Sequence, residues 1–360
     1  MKKLLLIFGF IICFFSCNTV QNTSISFLDE YVIKDSLLFQ NQVIGGLSGV
    51  DFVNNHLYFV VDDAEKPRIL VAEIKIDSNR IQQIIFKNTI NLNDSLSEFY
   101  RNSYLDLESI FVDESTKEIY LTSEGSVNKN KRPLFFKTDS NGKFLYDFSL
   151  PKSLTEIKNL KHNGTLEAST KSANKQGFWI GMESPLSSDG EEPNFENQNS
   201  PIRITYFDKN TKKATKQFAY QLENITKPSK GTINLNGLTA MLEFKPNHFL
   251  MVERVYQNEF GSYGNTVKIF EAIADKNTTN IIELNSLKNK QYIPLKKRLL
   301  LDFDTVKDQL TEGIVDNLEG ITLGPKLKNG NLSLILISDD NFQIYGKQLN
   351  QCILLELKIK

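Results

Sequence analysis

Residues 106–125 run Asp106-Leu107-Glu108-Ser109-Ile110-Phe111-Val112, a polar turn, then Ile119-Tyr120-Leu121-Thr122-Ser123-Glu124-Gly125. Two short runs rich in β-branched and aromatic residues around a turn are the pattern of a β-hairpin. The plan recurs in four other places. Gly46-Leu47-Ser48-Gly49-Val50 leads to Leu57-Tyr58-Phe59-Val60-Val61-Asp62-Asp63, and Gly164-Thr165-Leu166-Glu167-Ala168 leads to Gly177-Phe178-Trp179-Ile180-Gly181-Met182-Glu183. Asn236-Gly237-Leu238-Thr239-Ala240 leads to His248-Phe249-Leu250-Met251-Val252-Glu253-Arg254, and Asn317-Leu318-Glu319-Gly320-Ile321 leads to Leu334-Ile335-Leu336-Ile337-Ser338-Asp339-Asp340. Anchored on Ser48, Glu108, Glu167, Gly237 and Glu319, the steps are 60, 59, 70 and 82 residues. Repetition at such a spacing points to a propeller or another repeat architecture.

Two further strand-like stretches follow most hairpins, such as Leu134 to Thr138 with Phe144 to Tyr146, joined across Asp139-Ser140-Asn141-Gly142. Four short strands per unit make a propeller blade. The fold expected is therefore all-β, a single β-propeller of about five four-stranded blades, with a sixth hidden in the 82-residue step as the open alternative. The last unit has one outer strand, Ile353 to Ile359, so the stretch Tyr31 to Phe39 is expected to supply its fourth. Pairing the two chain ends in this way closes the ring and removes open edges. Helical periodicity is confined to a short stretch, Asp304 to Leu310. Two unrelated β-sandwiches would explain neither the shared spacing nor the arrangement of the chain ends.

In an antiparallel hairpin the start of the first strand and the end of the second share one rim. Glu108, Glu167 and Glu319 hold the first place; Asp62, Asp63, Glu124, Glu183, Glu253, Asp339 and Asp340 hold the second. Around a ring these ten acids converge on one channel mouth. Clustered carboxylates raise one another's pKa unless a cation joins them. Hard oxygen ligands favour Ca²⁺, which takes six to eight of them in loose geometry. Asn236, Asn317 and the carbonyls of Gly46 and Gly320 offer neutral oxygens. His56, His162 and His248 are isolated and read as turn or loop residues, which argues against a softer metal. Taken singly, each acid is ordinary decoration of a strand end; the recurrence is what points to a site. Arg68, Arg132 and Arg254 follow the acids closely and are candidate anion holders, though surface ion pairs are the commoner fate of such residues. Neither a Gly-x-Ser-x-Gly elbow nor a P-loop is present.

The chain has 360 residues, 42 Lys+Arg and 43 Asp+Glu, for a net charge of −1. That balance argues against nucleic acid as partner, because phosphate tracking needs a basic excess. Residues 1–16 read as a lipoprotein signal peptide: Lys2 and Lys3 precede the apolar run Leu4 to Phe15, which is shorter than the roughly 20 residues of a membrane span. Ser16-Cys17 resembles a bacterial lipobox, so Cys17 is the expected lipidation site, with an uncleaved anchor or an ordinary signal peptide as alternatives. Residues 17–25 then form the lipidated cysteine and a polar tether, and 26–360 the propeller. Cys352 reads as a buried strand residue.

Gly45-Gly46-Leu47-Ser48-Gly49, Asp106-Leu107-Glu108-Ser109-Ile110, Glu183-Ser184-Pro185-Leu186, Asn236-Gly237-Leu238, Leu250 to Arg254, Asn317-Leu318-Glu319-Gly320-Ile321 and Ser338-Asp339-Asp340-Asn341-Phe342 occur in this order. Together they resemble the bacterial phytase-like domain, labelled "esterase-like activity of phytase", over about residues 42–357. The resemblance implies a propeller, an extracytoplasmic place and phosphoesterase activity, since related propeller phytases use channel-mouth Ca²⁺ to hold phosphate and activate water. Glu108 and Glu319 are then the candidate catalytic carboxylates, as ligand or base. The Asp-Asp-Pro-Ala run of those enzymes is replaced by Asp62-Asp63-Ala64-Glu65, and the dense basic cluster suited to phytate is missing. Two readings follow: a Ca²⁺-dependent phosphoesterase acting on a small phosphorylated or other anionic substrate, or a non-catalytic, Ca²⁺-stabilised propeller that binds a glycan, peptide or protein. In both the protein is a monomer anchored by lipid in the cell envelope, facing the periplasm or the cell surface.

Overall fold

The computed structural model describes residues 23–196 and 199–359. The proposed signal peptide, Cys17 and the first part of the tether lie outside them. Among the described residues, five antiparallel four-stranded sheets form the blades of one propeller. Blade 1 contains Leu47–Val53, His56–Val61, Arg68–Asp77 and Arg80–Asn91. Blade 2 contains Leu107–Val112, Ile119–Ser123, Leu134–Thr138 and Phe144–Asp147. Blade 3 contains Leu166–Lys171, Gly177–Met182, Pro201–Asp208 and Ala214–Gln221. Blade 4 contains Asn234–Lys245, His248–Gln257, Asn265–Ile273 and Lys296–Asp302. Blade 5 takes Asn317–Leu323, Leu332–Asp339 and Asn350–Lys358 from the end of the chain and Ser24–Ile33 from its start.

The closing strand pairs Ser24 with Lys358 and Ile33 with Asn350. It takes in Ser24 and Ile25 and ends before Leu38-Phe39, which instead form a two-residue hairpin with Gln42-Val43. The expected Tyr31-to-Phe39 strand is thus displaced toward the N-terminus, because the turn at Asp35-Ser36, with Ser36 left-handed at φ 58, breaks that run. The long last step holds no sixth blade. Residues 274–295 contain no strand and lie along the outer edge of blade 3, where Ile281 N and Leu295 N donate to Gln217 O and Ala219 O at 2.8 and 2.9 Å. Leu287 N also donates to Asp189, whose carboxylate pairs with the fully buried Arg203. The insertion therefore covers a sheet edge that would otherwise present free donors and acceptors. Asp304 to Leu310 forms 3₁₀ turns rather than an α-helix.

Apolar clusters fill the wedges between blades. Phe111, Phe135, Phe178 and Phe207 lie between blades 2 and 3, Leu242, Leu250, Leu318 and Ile321 between 4 and 5. Small residues let the inner strands meet at the axis: a Cβ on Gly49 would stand 2.7 Å from Glu108 O. Cys352 is fully buried in its strand, and burial pushes its thiol up to about 12.

Candidate metal centre

Each inner strand carries the same irregularity. The register slips between Leu47 and Gly49, Leu107 and Ile110, Leu166 and Ala168, Leu238 and Ala240, and Leu318 and Gly320. A β-bulge at one position of all five blades inserts an extra residue and re-aims its side chain. Glu108, Glu167 and Glu319 occupy it in blades 2, 3 and 5. Ser48 and Thr239 occupy it in blades 1 and 4, and their hydroxyls donate to Leu107 O and Leu318 O of the next blade at 2.8 and 2.7 Å.

The second strands end at the same rim. Asp62 N donates to Gly46 O, Glu124 N to Asp106 O and Glu183 N to Thr165 O, within 2.8–2.9 Å, so the three acids hold equivalent places. Carboxylate oxygens of Asp62, Asp106 and Glu108 lie within 4.8 Å of one another, as do those of Glu124, Glu167 and Glu183. Glu319 and Asp339 continue the group, and Arg254 Nη2 lies 3.3 Å from Glu183 Oε1 and 3.5 Å from Glu319 Oε1. Eight carboxylates thus face one guanidinium.

Burial first, and neighbouring carboxylates second, hold Asp62, Glu108, Glu167 and Asp339 well above the ordinary range. Burial likewise raises Glu124 to about 8, with Glu183 adding to it and the Thr165 N–H opposing. Glu319 rises to about 8 through burial, against the pull of Arg254. Burial also raises Glu183, again against Arg254. Burial disfavours the Arg254 charge, yet Glu319, Glu183 and Glu167 outweigh it and the guanidinium is held more firmly protonated. Two trios of hard anionic oxygens whose mutual repulsion Arg254 offsets only in part fit a divalent cation such as Ca²⁺. A softer metal would find no imidazole or thiolate here: His56 and His248 lie at the opposite rim, and His162 is exposed.

Of the ten acids expected at the mouth, seven meet there: Asp62, Glu108, Glu124, Glu167, Glu183, Glu319 and Asp339. Glu253 does not. It turns outward to accept from Tyr220 Oη at 2.6 Å, Glu223 N at 2.9 Å and Lys297 Nζ at 2.5 Å. Strand alternation then brings its neighbour Arg254 to the axis. Asp63 pairs with Arg68 at 2.8 Å and caps a turn through Glu65 N and Lys66 N. Asp340 accepts Gly46 N at 2.9 Å and Asn350 Nδ2 at 2.8 Å, joining blade 5 to blade 1 as a strut. Arg132 pairs with Asp147 at the outer edge of blade 2, so of the three arginines only Arg254 reaches the carboxylates. Asp106 is the carboxylate of the cluster that the sequence pattern did not single out. Its signal was the spacing Asp106-x-Glu108, which puts two acids on one side of an extended chain.

Residues 42–342 match the model of the phytase-like family described as esterase-like activity of phytase. No curated protein matches in sequence. Among solved structures, a thermostable family-43 glycoside hydrolase is 9% identical with a TM-score of 0.46, covering 88% of this chain and 93% of that one. The major allergen Mala s 1 of Malassezia sympodialis is 11% identical with a TM-score of 0.42, covering 91% and 82%. Five bulged hairpins, a carboxylate mouth and a family match over most of the chain lead to one statement: this protein belongs to the phytase-like, esterase-like-activity-of-phytase family.

Proposed function

We propose that this protein is a Ca²⁺-dependent phosphoric ester hydrolase working at the carboxylate mouth. The observation that carries the reading is the pair of carboxylate trios with Arg254 beside them. Asp62, Asp106 and Glu108 form one holder for an ion, and Glu124, Glu167 and Glu183 the other. Bound calcium would supply Lewis acidity toward a phosphoryl oxygen and lower the pKa of its water. Arg254, with its buried Nε unpartnered, offers a planar fork to a phosphate oxygen. Glu319, next to Arg254, is placed to accept the proton of the attacking water. Purified protein should turn over members of a phosphomonoester and phosphodiester panel with Ca²⁺ and not with EDTA. Glu319→Gln should lower kcat by about 100-fold or more while Ca²⁺ still binds. Absence of metal-dependent turnover across the panel would sink the reading.

One observation favours a second reading. Arg68 and Arg132 are already paired with Asp63 and Asp147, which leaves Arg254 as the sole arginine at the site. A non-catalytic propeller stiffened by Ca²⁺ needs no more than that. It would show a Ca²⁺-raised Tm without hydrolysis. In either case we propose lipid anchoring at Cys17 in a bacterial cell envelope, supported by the Lys2-Lys3 and Leu4-to-Phe15 pattern. Labelled palmitate should enter the wild type and not Cys17→Ala; equal labelling counts against the anchor.

A further inference from the structure

The chain enters the ring at a fixed point. Thr23 is buried; its Oγ1 donates to Glu271 Oε1 at 3.1 Å and its carbonyl accepts Arg298 Nη2 at 3.0 Å, both in blade 4. Ser24 then pairs with Lys358 in blade 5. The segment that carries Cys17 therefore joins the propeller at the histidine rim, between blades 4 and 5, remote from the carboxylate mouth. Around this point the rim is basic. The stretches 171–176, 208–213, 245–248, 274–276 with Lys296, and 324–331 lie at this rim of blades 3, 4 and 5 and hold ten lysines against two aspartates. Lys171, Lys209, Lys296 and Lys328 pair with acids. Lys175, Lys212, Lys213, Lys276 and Lys326 are exposed and, among the described residues, make no salt bridge. The other acids of these blades at this rim, Glu243, Glu271 and Glu356, are buried. Blades 1 and 2 differ: Asp77 balances Arg80, and Asp113, Glu114 and Glu118 outnumber Lys117. The positive excess is thus a crescent that includes the point of entry.

Length decides which face can meet a bilayer. Six residue steps separate Cys17 from Thr23, a reach of about 20 Å at full extension. The closing strand rises roughly 30 Å between Ser24 and Ile33. A lipid at Cys17 cannot bring the carboxylate mouth down to the headgroups, so the histidine rim or the flank of the ring remains. Charge selects between these two, because lysines within a Debye length of anionic headgroups are drawn to them. We propose that the basic crescent docks on an anionic phospholipid surface and that the carboxylate mouth faces away from the bilayer. The point of attachment rests on the lipid anchor proposed above; the calcium reading is not needed.

Fluorescence energy transfer from lipidated, full-length protein to vesicles with an acceptor dye on their headgroups tests this. Asn210→Cys places a donor dye in the crescent, and Tyr345→Cys places one in the loop at the carboxylate rim. The native Cys352 is fully buried and stays unlabelled. In vesicles of equal parts phosphatidylcholine and phosphatidylglycerol, transfer from the first position should exceed transfer from the second. The difference should shrink in about 1 M salt, where the Debye length falls to about 3 Å. It should shrink likewise in Lys175→Glu/Lys213→Glu/Lys326→Glu, with the far-ultraviolet circular dichroism of the wild type retained. Equal transfer from the two positions, or a difference that neither salt nor the triple variant alters, overturns the docking. Protein without lipid that sediments with phosphatidylglycerol vesicles and not with phosphatidylcholine keeps the docking and loses only the anchor. Protein that sediments with neither overturns both.

Discussion

Arg254 and Glu253 are adjacent in the chain and play opposite parts, because one residue of strand advance exchanges the faces of a sheet. Arg254 partly neutralises the mouth; the remaining carboxylates share its charge only in part. The ion-free protein therefore holds protons on them. Each raised group, Asp62, Glu108, Glu124, Glu167, Glu183, Glu319 and Asp339, binds its proton more tightly folded than unfolded. The contribution of Glu124 and Glu319 is complete below the ordinary glutamate value of 4.5 and is lost as pH rises through about 8. In EDTA, Tm should fall by several degrees between about pH 5 and pH 8, and saturating Ca²⁺ should abolish the fall. A Tm in EDTA that climbs over that range would contradict the assignment. The acids themselves were legible in the sequence because they recur at equivalent places. Which member of Asp62-Asp63, Glu253-Arg254 or Asp339-Asp340 faces the axis was not, since that choice depends on register.

At the level of elements, the hairpin repeat was readable because alternating apolar runs and turn residues encode strands locally. The bulge was not readable. It emerges only when inner and second strands pair, and it is what turns Glu167 or Glu319 toward the channel. The insertion at 274–295 also escaped, because an extended loop and a weak strand look alike until their partners are known. The closing strand gives this scale its prediction. Ser24–Ile33 forms the edge of blade 5 and buries Ile25 and Ile33 against its neighbours. Deleting residues 23–33 should expose the Asn350–Lys358 strand and move the protein into larger aggregates in size-exclusion chromatography. A monodisperse deletion variant with unchanged Tm would refute the role given to that strand.

Across the whole molecule, five blades place distant acids at one rim, while the opposite rim is tied by Asp51. Its carboxylate accepts Val112 N and Lys171 Nζ at 2.8 Å and Thr322 Oγ1 at 3.0 Å, linking four blades. The ring is thus fastened at the histidine rim and repulsive at the carboxylate rim. The closing strand runs between them, from Ser24 beside Lys358 at the first to Ile33 beside Asn350 at the second. Tension applied to the chain ahead of Thr23 would accordingly load the Ser24–Lys358 pair first. Rupture would travel rung by rung, like a zip, and reach Asn350 last, so the mouth would outlast most of the seam under mechanical stress.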